Sequence, residues 1–140
     1  MAFAPSPSFE HLSHIGEARL RLRGASIADI LQQAALALAE LLLPGPPPQR
    51  PERVHEIALE ADDRAALLVD WLNELLYLAD RDRWLPSRIE VHEAGETHLR
   101  ATASGPVMEC APSQVKAATW HGLRFDVCDG GFEAEVVLDI

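Results

Sequence analysis

Two acidic oxygen groups stand next to each other at the carboxyl end of the sequence. Asp139 is the penultimate residue, and the α-carboxylate of Ile140 follows it directly. Apolar residues alternate through Gly131–Ile140, which predicts a strand that continues to the end of the sequence. Two carboxylates held side by side repel each other unless a cation lies between them, and Mg²⁺ and Ca²⁺ prefer oxygen ligands. The alternative is a strand that simply ends, with Asp139 in solvent.

Histidines and a lysine supply the other candidate residues. His11 and His14 are close enough in sequence to contact one metal ion that takes a third ligand from elsewhere. Lys116, Thr119 and His121 lie in one segment, in which Thr119 and His121 would share a strand face and hydrogen-bond across a site. The alternatives are histidines with ordinary hydrogen bonds and a strand with ordinary cross-strand pairs. The sequence contains no nucleophile elbow, glycine-rich phosphate loop, dinucleotide fingerprint or EF-hand loop.

Composition and charge limit the class of protein. The chain has 140 residues, of which 48% are hydrophobic and 24% charged, and this predicts one globular domain with its own core. A net charge of -10 disfavours direct binding to a nucleic-acid backbone and fits a partner with a basic surface. Cys110 and Cys128 lack a metal-binding spacing, so we expect reduced thiols in the cytoplasm, with a disulfide between the two as the alternative.

We expect neither a secretory signal in the first residues of the sequence nor a membrane-spanning segment along it. Residues 1–8 contain prolines and lack the features of a signal peptide, which predicts a flexible arm before a single domain over 9–140. Charged and amide residues interrupt every long apolar stretch, so we expect no contact with a membrane.

Hydrophobic periodicity predicts an α+β fold that would position these residues. Alternation predicts strands over 17–23, 54–61, 88–93, 97–104, 115–127 and 131–140. We expect the fifth strand to be broken near Gly122. Apolar stripes predict helices over 27–43, capped by Ser26, and over 64–79, capped by Asp62 or Asp63. Residues 44–51 are rich in proline and predict a stiff connector. The order predicts two helices packed on one face of a mixed or antiparallel sheet.

Four segments, in this order, resemble the archease family over most of the chain, from Phe9 to Ile140. Residues 9–15 (FEHLSHI) are similar to the family's Glu-His-Thr-Ala-Asp-Ile opening, and residues 66–77 (ALLVDWLNELLY) resemble its second helix. Residues 115–121 (VKAATWH) are similar to a Val-Lys-Ala-x-Thr-Tyr-His strand, and residues 136–140 resemble the family's ending. Four matches with the correct order and spacing are more specific than any single one.

The resemblance implies two helices against a curved sheet and a bound divalent cation, Ca²⁺ or Mg²⁺ in the family. Carried over by position, the ligands are His14, Asp139 and the terminal carboxylate of Ile140. His14 stands where the family has Asp, which removes one negative charge. The site would then prefer a transition metal such as Zn²⁺, Ni²⁺ or Mn²⁺, bind a hard cation weakly, or bind none. His11 matches the motif histidine, and Lys116 matches a lysine linked to activation of a partner enzyme.

The resemblance also implies a protein cofactor that is not itself an enzyme. Its partner would be the RtcB-type RNA-splicing ligase, whose guanylylation and multiple turnover it promotes in tRNA splicing or RNA repair. We expect His11, Lys116, Thr119 and His121 to act on that partner, without direct binding to nucleic acid. The alternatives are a small metal-dependent hydrolase, with His11 as its base, and a chaperone or adaptor of other nucleic-acid enzymes.

Overall fold

Strands from the two ends of the chain pair with each other. The computed structural model describes residues 4–14, 16–43, 52–109, 112 and 115–140, without the side chains of Ser13 and His14. Within these residues the order is β1 Ser8–His14, β2 Glu17–Gly24, α1 Ile27–Leu42, β3 Arg53–Glu60, α2 Arg64–Asp82, β4 Arg88–Ala94, β5 His98–Gly105, β6 Ala117–Cys128 and β7 Gly131–Asp139.

The first sheet has the strand order β1-β2-β7-β6, and its neighbouring strands are antiparallel. The inner face of β2 and β7 is apolar, and it buries Ala18 against Leu138 and Leu20 against Val136. The other face of these strands carries mostly ionisable side chains, and we call it the outer face. This division follows from the period of two, because successive side chains of a strand point to opposite faces.

The second sheet has the strand order β3-β5-β4 and is also antiparallel. The strands predicted over 88–93 and 97–104 correspond to β4 and β5, which pair in this sheet as an antiparallel hairpin. Ile57, Leu99 and Ala101 are buried on its inner face, whereas Glu56 and Arg100 are exposed.

Side-chain caps decide where the two helices begin. The Ser26 hydroxyl accepts the N–H of Asp29 at 3.1 Å, and the Asp29 carboxylate accepts the N–H of Ala25 at 2.9 Å. Asp63 accepts the N–H of Ala66 at 2.8 Å, so α2 begins at Arg64 as predicted. α2 runs to Asp82, beyond the predicted end at residue 79, and stops at Arg83, whose φ of 53° is left-handed.

Each helix contacts both sheets, so one hydrophobic core serves the whole domain. α1 packs on β2 and β4, and α2 packs on β6 and β3. Trp71 of α2 is fully buried, and its indole N–H donates to the carbonyl of Leu31 in α1 at 2.8 Å. The buried tryptophan therefore fills the space between the helices without leaving a polar atom unpaired.

The predicted α+β class is confirmed, with two differences in detail. The strands form two sheets instead of one, because alternation identifies strands but not their partners. Ser8–His14, which the pattern places before the first strand, is itself a strand and pairs with β2. The predicted connector over 44–51 and Cys110 lie outside the described residues. Where the structure describes the chain, it contains no helix both long and apolar enough to cross a membrane.

Side chains of α2 cover the free edge of β6. Asn73 accepts the N–H of Ala118 at 2.8 Å and donates to the carbonyl of the same residue at 3.4 Å. Arg64 donates to the carbonyl of Phe125 at 2.8 Å, and its guanidinium lies 5.5 Å from the ring centres of Phe125 and Phe132. The edge groups of β6 at these two points are thus satisfied by a helix instead of another strand.

Between these two points β6 bulges away from β7. The register shifts between Thr119 and Arg124, and Gly122 has a φ of 65°. The break predicted near Gly122 is confirmed. The bulge leaves Trp120 61% exposed, and His121 is also exposed.

Replacing Asn73 by Ala should destabilise the protein, because the N–H and C=O of Ala118 would lose their partners at a partly buried edge. We expect the free energy of unfolding to fall by about 1–3 kcal/mol. Urea unfolding followed by tryptophan fluorescence measures it. Asp70→Ala, at an exposed position of the same helix, is the control and should change stability by less than about 0.5 kcal/mol. Equal losses in the two variants would contradict the role of Asn73.

His55 of β3 is packed into a charged cluster at the end of α2. Its Nε2 lies 3.3 Å from the carboxylate of Asp82, and its ring packs edge-on against Trp84 with centroids 4.7 Å apart. Arg53 and Arg81 contact Asp82 at 3.3 and 2.9 Å. Burial lowers the pKa of His55 below its ordinary value, and the attraction of Asp82 only partly offsets this while the two arginines add to it. The hydrogen bond from Arg81 lowers the pKa of Asp82 to about 2.

Because the pKa of His55 is lower in the folded than in the unfolded chain, acid should favour unfolding. This stability is complete above the unfolded pKa of about 6.5 and is lost as the pH falls through the lower folded value. The urea midpoint of unfolding should therefore decrease as the pH is lowered from about 7.5 to 5.5. The decrease should be smaller in His55→Gln than in the wild type. His121→Gln, at an exposed position, should retain the wild-type slope. A slope unchanged by His55→Gln would show that another group causes the loss.

Candidate functional site at the carboxyl-terminal corner

The last two residues are held by main-chain hydrogen bonds from both sides. The N–H of Ile140 donates to the carbonyl of Gly16 at 3.2 Å, and the carbonyl of Asp139 accepts the N–H of Lys116 at 2.7 Å. Chain termini usually fray, but these bonds join this one to the β1–β2 turn and to the start of β6. The Asp139 side chain and the terminal carboxylate therefore stay next to each other, and we call this region the carboxyl-terminal corner.

Cross-strand register aligns four residues at this corner. His14 of β1 is opposite Glu17 of β2, Glu17 is opposite Asp139 of β7, and Asp139 is opposite Ala117 of β6. Opposite residues share one face, with Cβ atoms about 4.5–5.5 Å apart. The Cα atom of His14 lies two strand spacings, about 10 Å, from that of Asp139. The structure thus brings together the main chains of the predicted ligands His14, Asp139 and Ile140, and it places Glu17 between two of them.

The donors at the corner suit a hard cation. Asp139 is exposed and Ile140 is 44% exposed, so a cation can reach their oxygens. The described side chains include no group of three His, Cys, Asp or Glu residues arranged to hold a metal ion. The terminal carboxylate adds a donor that is not a side chain, and carboxylate oxygens fit Ca²⁺, Mg²⁺ and Mn²⁺. The cation itself stays a prediction.

Away from the corner, the outer face of the first sheet pairs its acids with arginines. Arg21 lies 3.0 Å from Glu135, Arg23 lies 3.0 Å from Glu133, and Arg124 lies 3.4 Å from Glu135. Glu135 is only 7% exposed. Burial opposes its ionisation, but the hydrogen bond from Arg21 and the charges of Arg124 and Arg21 outweigh burial and lower its pKa. This part of the face is therefore neutralised internally.

His11 lies apart from the corner. It is opposite Leu20, whose side chain is in the core, and so it faces α1 instead of the outer face. Its Nε2 is 3.9 Å from the carboxylate of Glu40, and its ring packs edge-on against Phe9 with centroids 5.4 Å apart. The position gives no support to His11 as a base acting beside Asp139, the role that the hydrolase alternative requires.

The structure separates the other three predicted residues. Lys116 is exposed next to the corner, where it lines a groove of about 470 Å³ with Tyr77 and Asp80. The hydroxyl of Thr119 is buried and has no hydrogen-bond partner within the described residues. His121 lies on the bulge of β6 and is exposed. Within the described part of the chain, Thr119 and His121 therefore do not hydrogen-bond to each other. Of the three residues, Lys116 is the one whose main-chain N–H donates to Asp139.

Sequence reasoning did not identify Glu17 or Asn73 as residues of interest. Glu17 carried a usable signal: only residues 15 and 16 separate it from His14, and a two-residue connection places its flanking residues opposite each other. Asn73 carried no such signal, because an amide within a helix does not reveal which main-chain groups it contacts.

Comparisons with known proteins agree with this architecture. The model of the Archease protein family (MTH1598/TM1083) matches residues 9–140. Protein archease of Methanosarcina mazei is 31% identical over 140 residues, covering 94% of this chain and 95% of that protein. Protein archease of Methanopyrus kandleri is 32% identical over 139 residues, covering 94% of this chain and 99% of that protein.

Two solved structures share the fold. The solution structure of Methanobacterium thermoautotrophicum protein 1598 is 30% identical, with a TM-score of 0.70 over 94% of this chain and 98% of that one. The crystal structure of a Thermotoga maritima archease, described as a possible chaperone, is 18% identical, with a TM-score of 0.58 over 94% of this chain and 96% of that one. With the family match extending from β1 to the last residue, this chain belongs to the archease family.

Proposed function

We propose that this protein is a non-enzymatic activator of an RtcB-type RNA ligase that promotes guanylylation and multiple turnover of the ligase. The observation that carries the proposal is the fixed carboxyl-terminal corner, which presents Asp139 and the terminal carboxylate beside Lys116. Family membership supports a role of this kind, and the description of one relative as a possible chaperone fits an action on another protein.

The corner would act through position and charge. Asp139 is exposed at the end of a strand that is bonded on both sides, so its carboxylate meets a partner without first having to be ordered. Asp139 and the Ile140 carboxylate are the groups that would hold a divalent cation, which would supply concentrated positive charge near the nucleotide site of the ligase. Lys116 provides a second, oppositely charged group at the same corner.

The charge of the chain supports a protein partner over RNA. The net charge of -10 repels a phosphate backbone, and several arginines of the outer face are already paired with acids. A basic surface around the nucleotide site of a ligase would instead be attracted to the corner. We expect the complex to form in the cytoplasm.

The proposal is tested by measuring the covalent ligase–GMP adduct with and without this protein. The wild type should increase the rate of adduct formation and allow multiple turnovers. Asp139→Ala should reduce this stimulation by about tenfold or more, because it removes a charged group preorganised at the contact. No stimulation by the wild-type protein would contradict the proposal.

Asp129→Ala is the matched control. Asp129 is an exposed acid in the turn before β7, at the opposite end of that strand from Asp139. The control removes the same charge from the chain, so it should leave stimulation unchanged if position at the corner matters. An equal loss in both variants would indicate that net charge alone is responsible.

A further inference from the structure

Two large aromatic side chains are exposed on the side of the molecule where α2 packs along β6. Tyr77 of α2 is 56% exposed, and Trp120 of β6 is 61% exposed. Tyrosine and tryptophan are the residues that most often anchor one protein on another, because each buries a large area and keeps a polar atom for a hydrogen bond. Their places along α2 and β6 therefore decide whether they form one surface.

The contacts between α2 and β6 fix these places. Asn73 contacts Ala118, whereas Arg64, nearer the start of α2, contacts a later residue of β6, so the two elements run in opposite directions. Tyr77 is about 6 Å along α2 from the Asn73–Ala118 contact. Trp120 is about 7 Å along β6 from the same contact, on its other side. The two aromatic residues thus flank the contact along one line, which we call the α2–β6 seam.

A groove of about 470 Å³ lies at the Tyr77 end of the seam. Leu76 and Val115 line it with apolar surface, and Asp80 and Lys116 line it with charged groups. The main-chain N–H of Lys116 donates to the carboxyl-terminal corner at 2.7 Å, so the groove adjoins that corner. Apolar surface with charged groups around it is the make-up of a contact between proteins.

The charge along the seam is negative. Asp70 and Asp80 are exposed and Glu74 is half-buried. Glu74 and Asp80 are each three residues from Tyr77, and Asp70 is seven residues from it, so these acids share one side of the helix with the tyrosine. Arg81, a cation of the same stretch, already pairs with another acid at 2.9 Å. No ion pair among the described residues involves the three acids, and the seam is therefore complementary to a basic surface.

One contact within the molecule shows how a cation fits this surface. The guanidinium of Arg81 lies 5.4 Å from the centre of the Tyr77 ring. A cation over an aromatic ring is attracted by the negative face of the ring, most strongly when the ring is that of tryptophan. The cation–aromatic contacts of the described residues do not include Trp120, so its indole is available to a cation from another molecule.

We infer that the α2–β6 seam is the docking surface for a basic segment of the ligase. Arginine or lysine side chains of this segment lie over Tyr77 and Trp120 and beside Asp70 and Asp80. The inference rests on the proposed function, because it takes the ligase as the partner. The distance along the seam between the two aromatic residues, about 13 Å, corresponds to about four residues of an extended segment. Docking on the seam supplies affinity and brings the adjoining corner to the ligase.

Calorimetric titration of the purified ligase with this protein, without GTP, tests the inference. The wild type should bind, and added salt should weaken binding because opposite charges attract the two proteins. Tyr77→Ala and Trp120→Ala should each weaken binding about tenfold or more, as expected when an aromatic anchor is removed. Circular dichroism and urea unfolding verify that each variant is folded.

Matched controls come from the other end of β6. Val127 is 69% exposed and lies at the end of the strand away from the seam, so Val127→Ala should bind as the wild type does. Asp80→Asn should weaken binding and reduce its dependence on salt. Asp129→Asn removes the same charge from an exposed position in the turn after β6 and should change neither.

Four results would each overturn the inference. They are wild-type affinity in both aromatic variants, equal losses in Trp120→Ala and Val127→Ala, binding that salt does not weaken, and no binding by the wild type. Sedimentation velocity of this protein alone adds a fifth. Self-association that Tyr77→Ala or Trp120→Ala abolishes would assign the seam to a second copy of this chain instead of the ligase.

The guanylylation assay separates docking from activation. Tyr77→Ala and Trp120→Ala should need a higher concentration for half-maximal stimulation and reach the wild-type maximum, whereas Asp139→Ala should lower the maximum. Stimulation by the wild type, with unchanged affinity in both aromatic variants, would overturn the docking surface and leave the proposed function standing. Binding through the seam without stimulation would support the docking surface and contradict the proposed function.

Discussion

The last strand of the chain lies inside a sheet, and the rest of the structure depends on this constraint. β7 is bonded to β2 on one side and to β6 on the other. At its end, Asp139 accepts the N–H of Lys116, and the N–H of Ile140 donates to Gly16. A terminal strand with two neighbours cannot fray independently of them. The terminal carboxylate thereby becomes a fixed chemical group, and its position requires that β2 and β7, from opposite ends of the chain, have already paired.

The cross-strand registers of the first sheet also decide which acids of the outer face lie beside an arginine. Glu135 is nearly buried, and an ionised carboxylate at such a position needs close cationic partners, which Arg21 and Arg124 supply. The exposed acids at the corner have water around them and do not need such partners for the protein to fold. Among the described side chains, the face therefore has an internally paired part and an anionic end, and the anionic end is the part that can attract a cation or a basic partner.

The helices contribute more than a core. α2 supplies Asn73 and Arg64 to main-chain groups of β6, so that an edge strand is completed by side chains. This arrangement leaves β6 free to bulge at Gly122 without losing the pairs on either side. His11, in contrast, belongs to the packing of β1 on α1, where it meets Glu40.

Local patterns in the sequence determined much of the scaffold. Helix stripes and the caps at Ser26 and Asp63 specified both helices, since these interactions join residues within one or two turns. The sequence also showed the alternation of β7 and the adjacency of Asp139 to the terminus. The adjacency is certain because the two residues are covalently linked. The two-sheet division was not readable, since a period of two reports the buried face of a strand and not its neighbour.

The sequence therefore identified only some residues of the candidate site. Asp139 and Ile140 were identified from their own positions, and the link to His14 came from a family resemblance. Tertiary structure alone placed Glu17 opposite Asp139, turned His11 to the opposite face and brought Asn73 to the edge of β6. Each of these depends on hydrogen bonds or packing between segments that are not covalent neighbours. Such pairings are chosen by the free energy of the whole fold, which no local pattern records.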